Sequence, residues 1–266
     1  MTSMTPPVVL LGTFGLVAAG LAGLVVGSFL NVVAHRLPRG QSIAFPGSRC
    51  PACGTAIKAY DNIPVLSWIL LRGRCRACRA PIAVRYPTLE LGNAALWLAV
   101  FRYAPSWCDL ATGAFLCSAG LVLLAIDADF QILPDVITLP GIALGLALSF
   151  GSVRRTPLEA ALGAALGAGG LYLLAFSYEK IAGQEGMGLG DVKMLGMIGA
   201  LLGPVGVLVT VMAASLSGSV VGVALMIARR SDGKMRLPFG VFLAIGAIGA
   251  WFFADPLFAR YRALWP

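Results

Sequence analysis

Charge is scarce in this sequence. Only 12% of its 266 residues are Asp, Glu, Lys or Arg, while 58% are hydrophobic; a soluble domain carries about 25% charged residues. The deficit lies in long apolar runs, which excludes a large soluble core and indicates helices that cross a bilayer. Short alternating segments are missing as well, which excludes an outer-membrane barrel. No charged stretch precedes the first apolar run, Val8 to Val33, and that run is long enough to span, so it is not a removable signal peptide. Internal repeats and low-complexity linkers are absent. Histidine occurs once, as His35 at the close of the first run, where an interfacial or capping role suits it better than catalysis.

About 20 helical residues cross the roughly 30 Å hydrocarbon core. After Val8 to Val33, further runs extend from Pro87 to Val100, Leu110 to Ile126, Pro134 to Phe150, Leu158 to Phe176, Met194 to Leu202, Val205 to Ile227 and Pro238 to Phe253. The predicted fold class is an all-α polytopic membrane protein of about eight transmembrane helices, with a small loop domain between the first two. That loop, 34–86, holds nine of the chain's twenty basic residues against one acid, Asp61, which is the positive-inside signal of a cytosolic segment. With the loop inside, segments 35–86, 127–134, 179–193 and 229–237 face the cytosol. They carry fifteen Lys and Arg, including Arg229, Arg230, Lys234 and Arg236, against five on the other face. A basic charge gathered in one loop suits anionic lipid better than nucleic acid. Glycines crowd the later helices at three- and four-residue spacing, which lets backbones approach in lipid.

The loop carries Cys50-Pro-Ala-Cys53 and Cys75-Arg-Ala-Cys78, with 21 residues between the pairs. Two such knuckles supply four thiolates in a tetrahedron, the usual structural Zn²⁺ site. A reducing cytosol opposes disulfides, and neighbouring arginines favour thiolates. A redox-active dithiol is the alternative. Four cysteines close the site, so the metal is a staple rather than a catalyst. Cys108 and Cys117 read as helix-packing residues.

Acids are expensive at a bilayer and mark functional sites by default. Two clusters stand at the same predicted face: Asp127, Asp129 and Asp135 where the third run ends, and Gly188-Leu189-Gly190-Asp191 opening the sixth. An Asp127–Asp191 dyad follows. Two carboxylates in one site share a proton; the ionised one activates water and the protonated one polarises a carbonyl. Asp127 continues the apolar run more directly than Asp129. The bland alternatives are that Asp135 and Asp191 favour helix starts and that Lys193 neutralises Asp191. A carrier or assembly protein with a zinc-stapled loop and acids serving protons or cations is the competing function.

Taken in order, Gly27-Ser28-Phe29-Leu30-Asn31 to Pro38, both cysteine pairs, Pro64 to Trp68, Arg72 to Cys75, Arg85 to Glu90, Asp127 to Asp135, Gly188 to Lys193 and Pro238-Phe239-Gly240 resemble the type IV prepilin peptidases nearly end to end. The resemblance implies a bifunctional enzyme of the bacterial inner membrane, with its active site at the cytosolic face. Asp127 and Asp191 would cleave the basic leader of a prepilin or pseudopilin after a glycine that precedes an apolar helix. The new amino group would then be methylated with S-adenosylmethionine. It implies a first transmembrane helix over 1–33 and a zinc-binding loop over 34–86, the loop and its flanking helices forming a methyltransferase-associated region of about 18–104. A peptidase core over 105–230 and a last helix and tail over 231–266 would follow. No G-x-G-x-x-G turn is present for the cofactor. Glu90, near a helix start, is a candidate methylation-site acid. The basic loop matches a basic leader poorly and is assigned to lipid, cofactor or folding.

Overall fold

The structure, a computed structural model, describes residues 5–183, 188–229 and 237–264; Arg230, Lys234 and Arg236 of the charge count lie outside them. Among the described residues there is no β-strand. The elements are α1 (Pro7–Arg36), α2 (Leu66–Leu70), α3 (Arg85–Tyr103), α4 (Trp107–Phe130), α5 (Asp135–Ser149), α6 (Pro157–Ala182), α7 (Leu189–Arg229) and α8 (Phe239–Leu264). Five of them, α1, α4, α6, α7 and α8, are long and apolar enough to cross a membrane.

Four of the eight apolar runs explain the difference. α3 carries Arg85, Glu90 and Arg102, which dilute its hydropathy. α5 has only 15 residues, about 22 Å of helix. The sixth and seventh runs are joined in α7, whose axis breaks at Gly203 with φ 70° and ψ −177° before Pro204. Only glycine adopts that conformation readily, and proline offers no N–H to continue the ladder.

The chain divides into two compact units, Met1–Ala104 and Pro105–Pro266. In the first, α1 packs along α3. Asn93 Nδ2 donates to the Gly23 carbonyl at 2.8 Å and Asn31 Nδ2 to the Tyr86 carbonyl at 3.2 Å. These buried amides fix the register of an otherwise apolar helix pair. In the second, α4 is buried along most of its length from Asp109 to Asp127; α8 packs on α4, and α5, α6 and α8 all pack on α7. Where α6 meets α7 a side chain on Gly199 would overlap the Gly163 carbonyl, so small residues set that spacing.

The end of this unit formed by the start of α4 is closed by polar groups. Asp109, fully buried, accepts hydrogen bonds from Ser106 Oγ at 2.7 Å, Ser152 Oγ at 2.5 Å and the Val153 N–H at 3.0 Å. Arg154 lies 4.4 Å from the Trp251 ring centre and donates to the Trp251 carbonyl at 2.8 Å, while Asp109 offsets the charge of buried Arg155. Asp109→Ala is expected to cost about 3–5 kcal/mol, because it strands three donors and removes one of the charges that support buried Arg155. The thermal midpoint of the purified protein should fall by roughly 10 °C; an unchanged midpoint would mean that water replaces the carboxylate.

Candidate active site and cysteine cluster

The opposite end of the second unit gathers the last turn of α4, the turn into α5, and the first turns of α7 and α8. α4 stops where Gln131 enters the left-handed region at φ 54° and its N–H bonds back to the Asp127 carbonyl. Asp127 is turned inward, 5% exposed, whereas Asp129 is exposed. A carboxylate in the last turn of its own helix opposes that helix's dipole. The start of α8 compensates: Asp127 Oδ2 accepts the Val241 N–H at 3.0 Å, so a side chain of α4 caps α8.

Gly240 makes that approach possible. A Cβ there would stand 2.8 Å from Asp127 Oδ2 and 3.1 Å from Leu133 Cδ1. Leu133 also covers Gly190, where an added Cβ would lie 3.1 Å from Leu133 Cβ. One leucine of the α4–α5 turn therefore touches the starts of both α7 and α8. Asp191, in the first turn of α7 and partly buried, lies within Coulombic range of Asp127. Two acids distant in sequence thus lie at the same end of a helical bundle, near enough to feel each other's charge and beside two helix N-termini.

Lys193 does not neutralise Asp191 in the way its position suggests. Its Nζ bonds both oxygens of Asp135, at 2.9 and 2.7 Å, and joins the first turn of α5 to that of α7. The contributions of Leu133, Gly240 and Val241 have no signature as chemistry in the sequence, since one is a contact surface and two act through backbone. The only signal is the Pro-Phe-Gly that opens an apolar run at the same predicted face.

In the first unit the four cysteines converge. The sulfurs of Cys50, Cys53, Cys75 and Cys78 all lie within 4.8 Å of one another, and none is disulfide-bonded. The two knuckles repeat one backbone pattern. Cys50 N–H bonds the Thr55 carbonyl and Gly54 N–H the Cys50 carbonyl; Cys75 N–H bonds the Ala80 carbonyl and Arg79 N–H the Cys75 carbonyl. Gly54 and Arg79, the residues after each second cysteine, both have positive φ. The Thr55 hydroxyl and backbone N–H draw the Cys53 thiol down to about 6, and the backbone N–H groups of Cys78 and Ala77 lower that of Cys75. Although the Ala80 N–H favours its thiolate, desolvation and the three other sulfurs push Cys78 up to about 11. Four sulfurs this close form a donor set that fits Zn²⁺, and a bound cation would draw the Cys78 proton off as well.

Several other predicted residues of this unit make contacts within it. Glu90, 7% exposed, accepts the Val65 N–H at 2.7 Å and ties α3 to a residue held at φ 61°. Arg76 makes a bidentate pair with Asp61 at 2.6–3.0 Å, which holds Asp61 below the usual carboxylate range. At least this arginine of the basic loop is engaged in folding. Trp68 donates to the Ile82 carbonyl at 3.1 Å and lies against Gly73, where a Cβ would be 2.9 Å from its ring. His35 is exposed at the end of α1.

The bacterial peptidase A24 N-terminal domain matches residues 21–104 and the type IV leader peptidase family matches residues 114–223. Relatives named prepilin leader peptidase/N-methyltransferase include one from Burkholderia pseudomallei strain 1026b, 38% identical over 262 residues, spanning 89% of this chain and 84% of its own. One from Pseudomonas putida is 37% identical over 269 residues, spanning 92% and 93%. One from Myxococcus xanthus is 41% identical over 206 residues, spanning 77% and 62%. No solved structure matches.

Proposed function

This chain belongs to the type IV leader peptidase family, and on that premise we propose that it removes the basic leader of a prepilin or pseudopilin and then N-methylates the new amino terminus. The observation that supports the reading is that Asp127, anchored on the start of α8, and Asp191, on the start of α7, lie at one end of the bundle within Coulombic range. Relatives that span most of the chain are named for both activities.

The dyad holds one proton between two carboxylates and titrates as a pair. The ionised carboxylate takes a proton from water as the water oxygen attacks the carbonyl carbon. The protonated one hydrogen-bonds the carbonyl oxygen, whose negative charge grows as the tetrahedral intermediate forms. Collapse breaks the C–N bond, and the proton taken from water passes to the leaving amine. S-adenosylmethionine would supply the methyl group for the second reaction. The four cysteines would hold a structural Zn²⁺ with no open coordination position.

In this reading α1, α3, α4, α5, α6, both halves of α7 and α8 make eight crossings of the bacterial inner membrane, with the dyad at the cytosolic face. Residues 18–104 form the methyltransferase-associated region and 105–230 the peptidase core. The segment 231–266 also serves that core, since Val241 anchors Asp127. Gly240→Ala is expected to lower kcat/KM about 100-fold, the usual effect of moving a catalytic group by a fraction of an ångström to one ångström. The thermal midpoint should stay within a few degrees of wild type. A variant that cleaves normally would show that the acid needs no such close seat.

The test of the function is to incubate the lipid-reconstituted protein with a prepilin and S-adenosylmethionine and follow the product by mass spectrometry. Cleavage after the leader glycine followed by gain of one methyl group is expected. Intact substrate with folded protein and several prepilins would favour the ion-carrier reading instead.

A further inference from the structure

Between the second half of α7 and the start of α8 lies a groove of about 320 Å³, lined by Ser215, Gly218, Ser219, Leu237, Phe239 and Phe242. We propose that this groove is a specificity subsite that seats the substrate's apolar helix by one large side chain close to the scissile bond; the proposal rests on the peptidase reading.

Continuity with the candidate site identifies the occupant. Phe239 directly precedes Gly240 and Val241, the backbone that holds Asp127. The groove thus opens at the same end of α8 that seats the acid, so an apolar helix lying beside α8 with its cleaved end at the dyad can offer it a side chain. The space is too small for a whole helix and matches the smallest ligand pockets. It takes a side chain of a helix lying outside, as a knob enters a hole. Leu237, Phe239 and Phe242 make the walls apolar, so the knob is aliphatic or aromatic.

Gly218 leaves the space wide. A Cβ there would stand 3.5 Å from the Phe242 ring, an ordinary contact, so only a larger side chain fills the groove. Ser215 and Ser219 are exposed on a helix apolar enough to cross a membrane. Among the described residues their hydroxyls make no hydrogen bond. A hydroxyl left bare in hydrocarbon is costly, and a second helix packed on small residues satisfies such groups.

The experiment is a bump-and-hole series on the full chain reconstituted with full-length prepilin. Gly218→Leu and Ser219→Leu are expected to raise KM at least tenfold while kcat stays within about threefold. Alanine substitution along the first two turns of the prepilin's apolar helix should then find one position that restores KM for Gly218→Leu. Should Gly218→Leu fail to fold, Ser219→Leu carries the measurement, because its side chain adds only apolar surface on an exposed face. Unchanged KM in a folded variant overturns the proposal. Unchanged KM with loss of a bound lipid in native mass spectrometry gives the groove to an acyl chain and overturns it equally. A wild-type enzyme that cleaves no prepilin would sink the peptidase reading and the subsite with it, whereas cleavage with unaltered KM sinks the subsite alone.

Discussion

Asp127→Asn and Asp191→Asn should each slow leader cleavage by at least about 1,000-fold, within the range of general acid–base contributions, without unfolding the protein. The substitution keeps shape and an acceptor oxygen. At position 127 the carboxamide can still receive the Val241 N–H that Asp127 receives at 3.0 Å, so the start of α8 keeps its cap. What it cannot do is take a proton from water or share one with its partner. Because the two acids work as a unit, the double variant should be no more than about tenfold worse than either single one. Single-turnover cleavage by each variant beside the thermal midpoint checks this. A variant that retains a tenth of wild-type activity with an intact fold would remove that acid from the chemistry.

Stripping zinc should open the loop between α1 and α3. That loop contains two 3-10 turns, the five-residue α2 and two isolated bridges, too little apolar burial to fold unaided. A tetrahedral metal with Zn–S bonds of about 2.3 Å sets its sulfurs about 3.8 Å apart, and Cys50 and Cys78 stand 3.8 Å apart. Structural zinc contributes on the order of 10 kcal/mol or more in small domains, more than the Asp61–Arg76 pair and the Trp68 clamp can replace. Elemental analysis should find about one zinc per chain, and Cys78→Ser should lose it. A chelator should expose Trp68, seen as a red-shifted fluorescence, and make the arginines from Arg72 to Arg79 cleavable by trypsin. A zinc-free protein with wild-type protease resistance would mean that the cysteines serve another purpose.

How much of this was legible in the sequence depends on which atoms act. The cysteine pairs announce themselves because side-chain type and spacing carry the chemistry. Asp127 and Asp191 are legible because charge at the edge of an apolar run is costly and needs a reason. The break at Gly203-Pro204 is visible as an interruption, although helix resumes at once and the two runs read as one bent element. The seat of Asp127 is different in kind. Val241 acts through its N–H and Gly240 through the side chain it lacks, and neither property has a residue signature. Lys193 is misread for a related reason: adjacency to Asp191 is obvious in the sequence, while Asp135, 58 positions away, is what it holds. The network around Asp109 draws on α4, the turn after α5 and α8, and only packing reveals that these residues meet.

The cap that α4 places on α8 also has a bearing on biosynthesis. Asp127 and Val241 are 114 positions apart, and a ribosome adding about 5–20 residues per second needs roughly 6–23 s to cover that interval. Throughout that time the nascent chain carries its first acid without the backbone that seats it. On the peptidase reading, proteolytic competence arrives with insertion of α8, so a half-made enzyme at the translocon is a silent one.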